Sequence, residues 1–141
     1  MRRRLPIALA ALAWPFLILL ICPLAQAPLA ARPEEPVKPI KSWSATASWY
    51  GPRFQGKRTA SGQLYDMFSA TAAHPWLPFG SLIRIVNTRT GHSQLARIND
   101  RGPFMLDREL DVSFLVASRL GMINRGVQPV RIEVLEVPKR P

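Results

Sequence analysis

Cysteine is almost absent from this 141-residue sequence. Its one example, Cys22, lies in an N-terminal apolar run, so no disulfide staples the rest of the chain. Histidine is nearly as scarce. His74 and His92 have no thiol beside them and make no tetrahedral zinc set, and no metal or cofactor is expected. Acidic charge is short as well. Three of the 19 Lys and Arg are Arg2, Arg3 and Arg4, and the other sixteen exceed the nine Asp and Glu by seven. That balance suits an anionic partner, whether nucleic acid, anionic lipid or a polyanionic cell wall. No nucleic-acid-binding motif is present, so nucleic acid is not an expected partner. There is no internal repeat, and the length leaves room for one domain.

Three arginines followed by an apolar run from Leu5 to Leu24, broken only by Pro6, Pro15, Pro23 and Cys22, have the pattern of a secretory signal. The run has no polar face with which a soluble helix would meet water. Residues 1–27 are therefore expected to be a signal peptide or N-terminal anchor, and the protein to be exported to the periplasm or cell envelope. Three endings stay open. Ala25-Gln26-Ala27 fits the small-x-small cleavage rule, although Pro28 would start the mature chain. Cys22 would be the lipid-modified residue of a lipoprotein, but Ile21 stands where a small residue belongs. An uncleaved, membrane-attached anchor is the third, since transmembrane helices tolerate a proline such as Pro15.

Residues 28–43 contain four prolines between Pro28 and Lys41 and predict an extended linker. The folded domain is expected over residues 44–137, with a short tail at 138–141. Its strand signals are short. Ala45–Tyr50 stops at Gly51-Pro52, and Ser69–His74 stops at Pro75. Leu82–Asn87 and Gln94–Asn99 flank a short loop containing Gly91, which predicts a hairpin. Val130, Ile132 and Val134 alternate with Arg131 and Glu133 as a half-buried strand requires, until Leu135 breaks the alternation. Ser113 can cap a helix over Phe114–Leu120 that Gly121 closes. Five or six strands with one or two short helices favour a small closed barrel.

The polar residues that a core does not explain fall in three clusters: Thr59-Ala60-Ser61-Gly62-Gln63-Leu64-Tyr65-Asp66, Ala72-Ala73-His74-Pro75 and Ile98-Asn99-Asp100-Arg101-Gly102-Pro103-Phe104. With Ala47-Ser48-Trp49-Tyr50-Gly51, Leu77-Pro78-Phe79-Gly80, Arg108–Ser113, Leu120-Gly121-Met122 and Val130–Val134, they stand in an order and spacing that resembles the rare lipoprotein A family of peptidoglycan lytic transglycosylases. The resemblance implies a mainly β fold, a six-stranded double-psi β-barrel. It also implies a lytic transglycosylase that cleaves peptidoglycan glycan strands, preferably those lacking stem peptides, and leaves 1,6-anhydro ends. The partner is then the glycan strand, and the protein is expected to act as a monomer.

Carried over by that resemblance, Asp100 is the expected catalytic acid–base. Cleaving a glycosidic bond requires a proton donor at the leaving oxygen, which a carboxylic acid in a cleft supplies. A hydrolase usually adds a second carboxylate to activate water or attack the sugar. When the sugar's own 6-hydroxyl attacks, one carboxyl group suffices. His74 matches a family active-site position, where it would bind substrate or orient the acid. Arg101 adjoins Asp100, but neighbours in an extended segment point to opposite sides, so it is open to a structural partner. Trp49 and Tyr50 offer rings to stack on sugars or to fill the core, and Tyr65, Gln63 and Arg101 complete the expected substrate contacts. Gln63 departs from the family's glutamate. An amide binds sugar hydroxyls but carries no charge, which keeps a non-catalytic peptidoglycan-binding module as the alternative.

Overall fold

The computed structural model describes residues 37–139. The expected signal or anchor, Cys22 and most of the expected linker lie outside the described residues. Six strands, β1 (Lys41–Trp49), β2 (Thr71–Ala73), β3 (Leu82–Asn87), β4 (Ser93–Asp100), β5 (Leu110–Val112) and β6 (Gln128–Glu136), close into a barrel in the order β1-β5-β2-β4-β3-β6. One α-helix, α1 (Phe114–Arg119), lies between β5 and β6, and a 3₁₀ turn, Pro52–Phe54, follows β1. The β1–β5 and β2–β4 pairs are parallel and the others antiparallel.

Alternation drives the closure. Ile83 and Ile85 of β3, Val130, Ile132 and Val134 of β6 and Ala96 and Ile98 of β4 turn inward and are essentially fully buried. Burying each large aliphatic side chain contributes about 1.5–3 kcal/mol relative to leaving it in water. The break at Leu135 has a local cause. Ile83 pairs with Val134 and Leu82 with Glu136, so Leu135 is the extra residue of a bulge. The helix seals the barrel with Val116, Ala117 and Leu120. Ser113 caps it as expected, accepting from Val116 N at 3.4 Å and donating to Ser69 O at 2.6 Å. Ser113→Ala should lower stability by about 1–2 kcal/mol, readable in a urea titration.

Two elements differ from the sequence reading. The first strand begins at Lys41 rather than Ala45, because Lys41 to Ala47 pair with Val134 to Gln128. Trp43, expected in the linker, is therefore a barrel residue. A strand not foreseen, Leu110-Asp111-Val112, lies between β1 and β2. These differences shape the site.

Candidate active site

Asp100 ends β4, and a bulge sets its position. Ala72 pairs with Ile98 but Ala73 with Asp100, so Asn99 is the extra residue and the in–out alternation of β4 stops there. Bulges re-aim side chains in this way. On its other edge Ala73 pairs with Asp111 of β5. Two carboxylates thus flank one alanine, two inter-strand spacings or about 10 Å apart at Cα. The small Ala73 side chain leaves the space between them open.

The segment after β1 folds over this end of the barrel. A tight turn over Thr59–Gln63 is held by Thr59 N to Gln63 O at 2.8 Å, Gly62 N to Thr59 O at 2.9 Å and Ser61 N to Asn99 O at 3.3 Å. Gly62 takes φ +88°, which a side chain would strain. The turn aims Ala60 N at Asp100 Oδ1 (2.8 Å), which also accepts from Arg101 N at 2.8 Å. No donor among the described residues bonds Oδ2. The carboxylate is oriented through one oxygen, leaving the other available.

Asp100 and Asp111 line a cleft of about 240 Å³ whose walls include Tyr50, Phe54, Lys57, Arg58 and Phe104. Asp111 accepts a hydrogen bond from the Ser48 hydroxyl and lies 3.7 Å from Arg108 Nε. Although it stands just before the helix in sequence, it is a strand residue facing the cleft. The cleft also opens into two shallower concavities, each about 580 Å³. One shares Tyr50, Phe54 and Asp111 with it, and the other shares Pro103 and Phe104. Through these shared residues the three hollows adjoin as one grooved face that carries Asp100.

Of the other expected site residues, Tyr50, Tyr65 and Arg101 also line the cleft of Asp100, whereas Gln63 and His74 do not. Tyr50 and Tyr65 pack with ring centroids 4.5 Å apart and planes tilted by 45°, and the Tyr65 hydroxyl donates to Tyr50 O at 3.2 Å. Burial pushes both phenols above the ordinary value of 10, and Tyr65 and Asp100 push Tyr50 further, so both remain neutral. Trp49 packs edge-on against Phe114 at 5.8 Å and forms part of the groove wall. Arg101 does turn to structural partners. Its Nη1 donates to Leu77 O at 2.9 Å and His74 O at 3.4 Å, and its guanidinium lies 3.7 Å from the Phe79 ring centroid. Gln63 is exposed and accepts from Asn99 Nδ2 at 3.2 Å. It lines a small hollow with Phe79 and Arg97 and not the cleft of Asp100.

His74 is fully buried and lines none of these concavities. Its Nδ1 accepts from Leu77 N at 3.2 Å and Trp76 N at 3.4 Å, which places the proton on Nε2, 3.1 Å from Glu109 Oε1. Burial pushes it below its ordinary value of 6.5, against the pull of the Glu109 carboxylate. Through its backbone His74 also donates to Asp100 O at 3.3 Å. Of the two roles the resemblance offered, this geometry favours orienting the Asp100 strand over touching a sugar. Glu109, Lys57, Arg58 and Phe54 were not foreseen; each is an ordinary surface residue until the barrel brings it to the groove.

Residues 43–132 match the family model described as lytic transglycolase. The chain is 47% identical over 96 residues to the endolytic peptidoglycan transglycosylase RlpA of Vibrio cholerae, covering 68% of this chain and 36% of that one. It is 49% identical over 90 residues to the protein of the same name from Neisseria meningitidis, covering 64% and 38%. The matched segment thus spans little more than a third of these curated relatives. Among solved structures, the Streptomyces papain inhibitor superposes with a TM-score of 0.57 at 16% identity, covering 72% of this chain and all of that one. Apo Clavibacter michiganensis expansin superposes at 0.56 and 17%, covering 72% and 54%. The expected double-psi β-barrel is the fold found.

Proposed function

The chain belongs to the lytic transglycolase family, and from that membership we propose that it cleaves peptidoglycan glycan strands without consuming water, with Asp100 as both acid and base. The observation that carries this reading is the position of Asp100 in an open cleft, with one carboxylate oxygen bonded and the other free of donors among the described residues. A cleft adjoined by a further hollow at each of two walls suits the interior of a polymer as well as its end. Lys57 and Arg58 suit an anionic strand.

In the proposed reaction the carboxyl group of Asp100 gives its proton to the glycosidic oxygen as the bond from C1 to that oxygen breaks. The carboxylate so formed takes the proton from the 6-hydroxyl of the same sugar as O6 bonds to C1. Asp100 ends as it began, and the product carries a 1,6-anhydro ring. Asp111, tied to Ser48 and Arg108 across Ala73, supplies negative charge on the other side of the cleft, where C1 becomes positive. His74 and Arg101 hold the segment that carries Asp100. The same proposal places the protein outside the inner membrane, exported through residues 1–27, with the barrel and its flanking tail as the working domain.

The test is incubation of the full chain with glycan strands stripped of stem peptides, followed by mass analysis of soluble products. Release of peptide-free fragments ending in 1,6-anhydro sugars supports the reading, and wall binding with no product would favour the non-catalytic module. Gln63 bears on the same choice. Its Oε1 already accepts from Asn99, an interaction that a glutamate oxygen would keep. Gln63→Glu should therefore change product release by less than about fivefold. A gain of a hundredfold would mean that the charge lost at this position is what catalysis needs.

A further inference from the structure

Beyond the cleft, the barrel carries an aromatic cluster that the proposed reaction does not use. Trp76 is 53% exposed, a large apolar surface left in water. Its ring stacks on Trp43 with centroids 5.4 Å apart and planes 23° from parallel. Lys41 Nζ lies 5.3 Å from the Trp43 centroid and 5.1 Å from that of Trp76. Lys41 and Trp43 alternate along β1, so the strand itself presents them to one side.

This cluster is fixed from behind. Trp43 Nε1 donates to Glu109 Oε2 at 3.2 Å, while Glu109 Oε1 accepts from His74 Nε2 at 3.1 Å. The His74 ring stands edge-on to Trp76 at 4.7 Å and to Trp43 at 5.9 Å, and its Nδ1 holds the Trp76 backbone. A half-exposed indole held this firmly loses little freedom when something settles on it. The platform also borders the groove. Pro75, next to Trp76, and Glu109, bonded to Trp43, line the concavity that shares Pro103 and Phe104 with the cleft of Asp100.

We propose that Trp76, backed by Trp43 and flanked by Lys41, is an outlying sugar subsite that takes a pyranose bearing a free carboxylate. The inference rests on the proposed glycan cleavage. Within such a strand the ligand is the muramic-type sugar, whose lactyl carboxylate is free only where the stem peptide has been removed. The apolar face of the ring stacks on the indole, and the ammonium of Lys41 pairs with the carboxylate. A peptide amide at that position offers no charge, and its chain must fit beside the platform. Preference for peptide-free strands is thereby built into binding at a distance from the reacting bond.

The test measures binding by the full chain carrying Asp100→Asn, which does not consume its ligand, to two probes: peptide-free strands, and the same strands with their carboxylates converted to methylamides. Trp76→Ala should weaken binding to both about tenfold, and Trp76→Tyr should restore most of it. Lys41→Met should weaken binding severalfold to free-carboxylate strands and leave the amidated ones unchanged. Unchanged affinity in Trp76→Ala, or equal loss on both probes in Lys41→Met, would overturn the subsite. So would a Trp76→Ala defect confined to anionic phospholipid vesicles, which would make the cluster, with the exposed Phe104, Met105 and Leu106, a membrane contact. Product release by the wild type is read in parallel. No product with these binding differences intact sinks the cleavage and not the subsite; product with unchanged binding does the reverse.

Discussion

Asp100→Asn is expected to lower product release by about 10²- to 10⁴-fold, the usual contribution of a positioned acid–base group. Asparagine keeps an oxygen in place of Oδ1, so the bonds from Ala60 N and Arg101 N survive. Thermal stability should therefore stay within about 1 kcal/mol of wild type. The pairing of an intact fold with lost turnover is what separates a chemical role from a structural one. Measuring initial rates on peptide-free strands beside a melting curve decides it. A variant that retains a tenth of the wild-type rate would place the acid elsewhere, and Asp111, the other carboxylate of the cleft, would be the next to replace.

His74→Leu is expected to be the most damaging single change to stability. It leaves the Leu77 and Trp76 N–H groups without their acceptor and removes one of the two donors to Glu109. Each unsatisfied buried donor costs about 1–3 kcal/mol, so a loss of about 2–4 kcal/mol, or roughly 10–20 °C in Tm, should appear by circular dichroism. The pH dependence supplies an independent check. Burial lowers the His74 pKa below its unfolded value of 6.5, so below that pH the unfolded chain takes up a proton that the folded chain refuses. The stability from keeping this ring neutral is present above pH 6.5 and is lost as pH falls toward the lowered folded value. Wild type should therefore weaken as pH falls below about 6.5, and His74→Leu should lack that part of the decline. A variant with wild-type Tm, or with the same slope, would show that the ring is not the buried neutral node described.

How much of this was legible in the sequence depended on distance along the chain. Leu82–Asn87, Val130–Val134 and the Ser113 cap were readable because alternation and capping are local properties. The strand Leu110-Asp111-Val112 was not, since three residues cannot show a period and it exists only because Ala47 and Ala72 offer edges to pair with. The place of Asp111 was hidden for the same reason: next to a helix in sequence, it lies across Ala73 from Asp100 in the barrel. Trp43 looked like linker after four prolines, yet it pairs with Ile132, about ninety residues away. Asp100 and His74 stood out through their motif blocks. The blocks did not say that His74 would be sealed behind Trp76 and Glu109, nor that Gln63 would face a different hollow from Asp100.

The most direct measurement is cleavage of peptide-free glycan strands in water enriched in ¹⁸O, with the released ends analysed by mass spectrometry. Attack by the sugar's own 6-hydroxyl gives fragments that carry no ¹⁸O and are lighter by one water than hydrolysis products. That result is expected of wild type, and its near-disappearance is expected of Asp100→Asn. Reducing ends labelled with ¹⁸O would contradict it, because the cleft would then be using its two carboxylates, Asp100 and Asp111, to split the strand with water.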